Sequence, residues 1–397
     1  MLSHYANRYR QDLFESVIPF WMKYSLDREH GGYFACLDRD GAIYDDRKYM
    51  WLNGRQVWTL SRLYNEVEKR PEWLEAARLG AEFLRRHARD GQGRCYFSLT
   101  RDGRPAAYQR KPYAAVFIML GWLEYAKASG EEWARREAME LFWSVRRWIA
   151  NPGLMDRPSL SGAPAFSQLA DVMVEISMAL EIAAMDPDPR YRAILGELYL
   201  RAMRHLDPDR QVLLENVMPD GARRTEMPEG RLVSPGHVVE VCWFLLHLLE
   251  VVPEAGREED VLRILDASLH FGWDREYGGL LYFVDTNGRP PLQLEASMKL
   301  WWPHTEAIYA LVLAYTKTHD PKWLEWLHKV DEYTYNTFPD PEHGEWFGYC
   351  DRAGKPTHTL KGNSYKGCFH VPRALLFSVQ RIEAAAGAGS GAVAAPS

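Results

Sequence analysis

DREHGGYFACLDRDG at residues 27–41 has two near-copies further along the chain, DREYGGLLYFVDTNG at 274–288 and DPEHGEWFGYCDRAG at 340–354. Each opens on a turn, passes through a short alternating aromatic stretch and closes on a second D-x-x-G turn, the pattern of a small hairpin or long loop. Weaker versions stand at GRCYFSLTRDGR (93–104) and RQVLLENVMPDG (210–221), and a polar, Gly/Pro-rich break at NPGLMDRPSLSGAP (151–164). The breaks start near residues 30, 93, 155, 213, 277 and 343. A period of about 60 residues is an internal repeat, longer than most solenoid units.

Between the breaks, apolar residues recur at i, i+3, i+4 and i+7, as in QVWTLSRLYNEV (56–67), EAARLGAEFLRRHA (75–88), AVFIMLGWLEYAKA (115–128) and HTEAIYALVLAYTKT (304–318). These are helices. Each break is followed by room for two of them, so six units supply about twelve helices. A closed ring of six pairs buries every inner face without the capping repeats a solenoid needs. The sequence therefore predicts an all-α (α/α)6 barrel, a toroid of helix pairs with short β-hairpins or long loops at the mouth. One domain spans 1–384, and the low-complexity stretch 385–397 reads as a disordered tail.

Composition narrows the partners. Net charge is −6 with no block of like charges, which argues against nucleic acid and anionic membrane. The longest apolar stretch, VCWFLLHLLEVV (241–252), is too short to span a bilayer and reads as a buried helix. The N-terminal MLSHYANRYRQDL lacks the apolar core of a secretory signal. Cys36, Cys95, Cys242, Cys350 and Cys368 are scattered and odd in number, which suits a reducing cytoplasm better than a disulfide scaffold. With 15 Trp and 21 Tyr, the chain has aromatic faces enough for a stacking site or for bulky core filler.

Four helix starts carry polar residues that a plain core helix does not need. WLNGRQVWTL (51–60) offers Asn53 as an N-cap, with Arg55 behind it. SPGHVVEVCW (234–243) sets His237 and Glu240 on one face at i, i+3. KLWWPHTEA (299–307) carries Trp301, Trp302, His304 and Glu306, where one Trp is expected in the core and the other in the cavity. CFHVPRALLF (368–377) repeats the i, i+3 pattern with His370 and Arg373, and Pro372 suits a first turn. In a ring these starts converge at one mouth.

Several chemistries fit such a set. Glu240 and Glu306 are the two carboxylates a glycoside hydrolase requires, or simply first-turn acids complementing a helix dipole. No H-x-x-x-H or C-x-x-C spacing supports a metal site, and neither a Walker loop nor a G-x-G-x-x-G sequence is present. Two histidines facing one carbon suit proton removal on one face and delivery on the other. A sugar C2 proton is acidified by the C1 carbonyl of the open chain. Arg55 and Arg373 are candidates to hold the oxygens of the resulting enediolate.

The strings DREHGGYF, YMWLNGRQVW, LTRDGRP, VLLENV, KLWWPHTEA, HGEWFGY and KGCFHVPR resemble the N-acylglucosamine 2-epimerase family from about residue 10 to about 380. The resemblance implies an (α/α)6 barrel, a cytoplasmic homodimer and reversible interconversion of N-acetyl-D-glucosamine and N-acetyl-D-mannosamine, an isomerase activity. It further implies that His237 and His370 are the acid/base pair at C2, that Arg55 contacts the open-chain oxygens, and that Glu240 and Glu306 belong to the catalytic set. Arg373, Trp302 and Tyr113 are the implied substrate contacts, and Lys366, close to His370 in YKGCFH, is a further candidate contact. Tyr113 resembles a sugar-contacting tyrosine of the related cellobiose 2-epimerases, which keeps an unsubstituted mono- or disaccharide, epimerised or isomerised, as the alternative substrate. The segment 148–164 resembles a region associated with ATP, an activator that is not consumed, and Arg157 is its candidate phosphate contact. A non-catalytic sugar-binding protein would not need two opposed proton carriers.

Overall fold

The computed structural model describes residues 2–109, 111–156 and 160–390. The chain opens with α1 (Ser3–Gln11) and α2 (Ile18–Tyr24), joined through a π-helical stretch at Asp12–Val17. Then follow α3 (Met50–Glu66), α4 (Pro71–His87), α5 (Tyr113–Ser129), α6 (Glu132–Ala150), α7 (Leu169–Ala183), α8 (Pro189–Met203), α9 (Pro235–Val251), α10 (Glu258–Gly272), α11 (Trp301–Thr318), α12 (Pro321–Thr337) and α13 (His370–Ser390). Helices α5, α9 and α11 are apolar nearly all round, and they and the more polar α3 are buried on nearly every face, whereas α4, α6, α10 and α12 bury only one stripe. That difference sorts the odd-numbered helices from α3 to α13 into an inner ring and the others into an outer one. The ring closes where Gln380 of α13 donates to Glu66 of α3 at 3.0 Å, Tyr9 of α1 donates to Asp331 of α12 at 2.8 Å, and Arg10 of α1 pairs with Glu383 of α13. This is the (α/α)6 barrel expected from the repeat.

Inner helices approach closely where glycines face each other. A Cβ at Gly54 would lie 2.4 Å from the backbone of Phe117, and one at Gly121 would lie 2.5 Å from the Gly54 carbonyl. Only glycine permits α3 and α5 to meet at that distance.

The six breaks become the mouth. Lys48–Tyr49, Leu232–Val233 and Lys299–Leu300 run as two-residue strands into the inner-helix starts at α3, α9 and α11. Each pairs antiparallel with the loop of the following unit, at Ser98–Leu99, Val284–Asp285 and Tyr349–Cys350. Beneath them the three strong repeats share one buried device. Asp27 binds Lys48 at 2.8 Å and Arg101 at 3.0 Å; Asp274 binds Lys299 at 3.0 Å and Arg352 at 2.8 Å; Asp340 binds Lys361 at 2.8 Å and Arg39 at 2.7 Å. The Asp of the D-x-E-x-G turn is thus a structural anchor for the mouth.

Two expectations change. Asn53 lies inside α3, whose N-cap is Tyr49; its amide accepts from Tyr33 N at 2.8 Å and donates to Tyr49 O at 3.1 Å, so it ties a loop to the helix rather than capping it. The segment set apart as a tail at 385–397 begins inside α13, because its alanines extend the helix to Ser390; residues 391–397 lie outside the described residues. Among the described residues no helix is long and apolar enough to cross a membrane.

Candidate active site

A cavity of about 420 Å³ opens at the mouth. Arg55, His237, Glu240, Trp302 and His370 line it, so α3, α9, α11 and α13 deliver side chains from the four helix starts singled out above. Trp301 lines it as well. The division into one core and one cavity tryptophan does not hold, because both first-turn positions of α11 face the opening. The ring of Trp302 packs against both imidazoles, with centroids 5.1 Å from His237 and 5.8 Å from His370. Gly236 makes this possible, since a Cβ there would meet the Trp302 ring at 2.7 Å.

Each histidine is backed by a carboxylate. His237 donates from Nδ1 to Glu215 at 3.0 Å, and His370 donates from Nδ1 to Glu306 at 2.7 Å. Both bonds fix the tautomer and leave Nε2 free for chemistry. Their electrostatics diverge. Burial pulls His237 down, but the charge and hydrogen bond of Glu215, with Glu240 nearby, more than offset it, and its pKa sits above the usual imidazole value. Burial likewise pulls His370 down, the guanidiniums of Arg55 and Arg373 add to it, and His370 is held well below the usual value. One histidine is therefore biased toward the cation and the other toward the neutral base.

Arg55 is buried among aromatic faces, its guanidinium carbon 3.9 Å from the Phe117 centroid, 4.6 Å from Trp51 and 5.0 Å from Phe369. Its Nε has no hydrogen-bond partner, and burial brings its pKa down to about 9 despite Glu240. A guanidinium desolvated in this way is poised for an anionic oxygen.

Beneath the cavity floor Arg373 bridges two acids, reaching Glu240 at 2.5 Å and Glu306 at 2.8 Å. Glu306 uses its other oxygen to accept from Trp243 Nε1 at 2.9 Å. Neither Arg373 nor Glu306 lines the cavity; both act through what they hold. Glu240, Glu306 and His370 place potential metal-ligand atoms within 4.8 Å of one another. The Arg373 guanidinium already supplies positive charge between those carboxylates.

Other residues named from the sequence fall elsewhere. Tyr113 donates to Asp171 at 2.8 Å and does not line the cavity. Lys366 is buried against Glu345 at 2.6 Å and the Lys361 carbonyl at 2.8 Å, supporting Trp301 from behind rather than facing a ligand. His304 donates from Nδ1 to Leu300 O at 2.6 Å and accepts from Leu280 N at 2.9 Å. Burial takes its pKa to about 3, so it is a neutral staple between α11 and the repeat loop. Arg157 lies outside the described residues.

Glu215 is the residue that sequence reasoning missed. It sits in the weak repeat VLLENV, where its backbone N–H donates to Leu232 O at 2.8 Å and its carbonyl accepts from Leu169 N at 2.9 Å. Those bonds pin it between the starts of α7 and α9. Tyr282 and Tyr349, which complete the cavity wall, come from the alternating aromatic stretches of the strong repeats. Period and break position could have flagged both tyrosines; nothing in the local pattern marks Glu215.

The site can hold a polar ring between aromatic walls, present to it two imidazoles biased toward opposite protonation states, and stabilise a developing oxyanion. Known proteins share the frame. The chain is 44% identical to mouse N-acylglucosamine 2-epimerase over 96% of its own length and 92% of that protein. It is 41% identical to the human N-acylglucosamine 2-epimerase, covering 94% of this chain and 89% of that one. Among solved structures, cellobiose 2-epimerase from Bacillus thermoamylovorans superposes with a TM-score of 0.82 at 22% identity, covering 96% of this chain and all of that one, a likeness of fold. A family model described as N-acylglucosamine 2-epimerase (GlcNAc 2-epimerase) matches residues 32–372. The chain belongs to the N-acylglucosamine 2-epimerase family.

Proposed function

We propose that this enzyme is a sugar 2-epimerase that interconverts N-acetyl-D-glucosamine and N-acetyl-D-mannosamine. The observation that carries the reading is the pair of carboxylate-backed histidines, His237–Glu215 and His370–Glu306, lining one cavity with the desolvated Arg55. The identity to N-acylglucosamine 2-epimerases of mouse and human supports the choice of sugar.

The chemistry follows from the electrostatics. In the open-chain sugar, neutral His370 takes the C2 proton at Nε2, and the electron pair moves onto the C1 oxygen as an enediolate-type anion. Arg55 donates to that oxygen. Cationic His237 then returns a proton to the opposite face of C2 from its own Nε2. One proton is taken up and one given, so the net reaction is an inversion at C2. The two histidines finish with exchanged protonation states, which is the state the reverse reaction needs. Exchange with water resets them.

The hydrolase reading loses its second carboxylate. Glu306 is buried, does not line the cavity and is committed to His370, Arg373 and Trp243, so it does not meet a water or an anomeric carbon there. The disaccharide alternative rested on Tyr113, which is engaged with Asp171 away from the cavity.

The same reading includes a cytoplasmic homodimer with ATP as an unconsumed activator. Five free, buried cysteines are in keeping with a reducing compartment. The ATP assignment rests on the resemblance of segment 148–164.

Proton NMR of N-acetyl-D-glucosamine with the enzyme in D2O, with and without ATP, tests the proposal. The expected result is N-acetyl-D-mannosamine carrying deuterium at C2, formed faster with ATP. Absence of both product and C2 exchange would overturn the N-acyl assignment.

A further inference from the structure

A second cavity, also about 420 Å³, opens at the other end of the barrel, where the inner helices finish. Its walls are aromatic: Trp58 of α3, Trp243 of α9, Tyr309 of α11 and Phe377 of α13. Trp58 and Phe377 meet edge to face at 6.0 Å, as do Trp243 and Tyr309 at 5.1 Å, so the rings hold one another in place.

The charges of the cavity wall are all compensated, Arg62 and Arg381 within it and Arg373 by Glu240 and Glu306 behind it. Arg62 reaches Glu181 at 3.4 Å, and Arg381 faces Glu250 at 3.8 Å. His247 bridges Glu250 at 3.1 Å and the Tyr309 hydroxyl at 2.7 Å. A balanced wall of this kind favours neither an anion nor a cation. It offers guanidinium donors and carboxylate acceptors side by side above an aromatic floor, which suits a neutral ring bearing several hydroxyls. Arg373 also lines this cavity and is only 4% exposed.

We infer that this cavity is a second carbohydrate site, taking a neutral monosaccharide, separated from the catalytic cavity by a layer in which Arg373 and Trp243 form the wall on this side. The wall is not passive. Trp243 donates to Glu306, and Glu306 holds His370, so a sugar stacked on Trp243 bears on the base of the front site through two hydrogen bonds. The inference uses the proposed function only to choose the probe.

The test counts bound sugar. N-acetyl-D-glucosamine, and separately D-glucose, is titrated calorimetrically into the full-length protein and three variants. Leu180→Trp and Ser177→Phe fill the rear cavity from α7 without touching the catalytic set; Arg55→Ala weakens the front site. The wild type is expected to bind two sugars per chain and each rear-filled variant one, with turnover at low sugar unchanged in the rear-filled variants. Binding that survives Arg55→Ala but is lost in the rear-filled variants would uphold the second site even if epimerisation failed. A single site lost only in Arg55→Ala, or a second site indifferent to both fillings, would overturn the inference while leaving the epimerase reading intact.

Discussion

Glu215 stands 3.0 Å from Nδ1 of His237, and no other acid hydrogen-bonds that imidazole among the described residues. It is the counterpart of Glu306 beneath His370, but it arrives from the loop that leads into its own histidine's helix, whereas Glu306 comes from the inner helix of the neighbouring unit.

Glu215→Gln should therefore act through His237. With the carboxylate gone, its pKa falls from above the usual imidazole value, because burial alone lowers it. The enzyme needs His237 as a cation, so the decline of kcat at high pH should move to lower pH. Activity at pH 8 should drop roughly 10- to 100-fold and activity near pH 6 less, as for other carboxylates that orient a functional histidine. A uniform loss at every pH would show a merely structural role.

His304→Ala should behave in the opposite way. Two buried hydrogen bonds to Leu300 and Leu280 are lost, costing about 1–3 kcal/mol for each unsatisfied group. Urea denaturation should register the loss. The kcat–pH profile of the folded fraction should keep its shape, because His304 never carries a proton for the reaction.

Arg373→Met should leave Glu240 and Glu306 facing each other without their cation. Breaking a buried ion pair costs about 3–5 kcal/mol, and the chemical midpoint should fall accordingly. His370, relieved of one neighbouring positive charge and left near less compensated carboxylates, should titrate higher. The acidic limb of the pH–rate profile should then move to higher pH.

The three repeated aspartates should set the acid limit of stability. Burial raises Asp27, Asp274 and Asp340, but their Arg and Lys partners outweigh it and hold each below the ordinary carboxylate value. A carboxyl depressed in the fold adds stability above its unfolded pKa, about 3.9, and loses it as pH falls from there toward the folded value. Tm should drop steeply below about pH 4, and Asp274→Asn should lower Tm at pH 7 while flattening that drop.

Much of this was legible. Three copies of one turn-rich element exposed the six-unit ring, and first-turn polar residues on inner helices located Arg55, His237 and His370 correctly in one cavity. What stayed hidden depended on distance along the helix axis and on contacts between units. Arg373 shares the face of His370 but lies one turn deeper, so it sits under the floor rather than in the cavity. Lys366 is close to His370 in the chain, yet Glu345 of the same long loop takes it up. Glu215 is fixed by backbone bonds to Leu232, farther along its own loop, and to Leu169 of the preceding unit, and no local periodicity encodes such a meeting.

The strand pairs of the mouth reach from one unit into the next, at Tyr49 with Ser98, Val233 with Val284 and Leu300 with Tyr349. At α3, α9 and α11 no unit thus owns the whole framework that holds its own helix start. A linear repeat array can fray from an end and lose modules one at a time; here α1 on α12 and α13 removes the end, and the stitching ties the modules of α3, α9 and α11 to their successors. Hydrogen exchange at the inner-helix starts should then occur by one cooperative opening of the whole ring, and a lesion in any one repeat loop should be felt at the catalytic histidines.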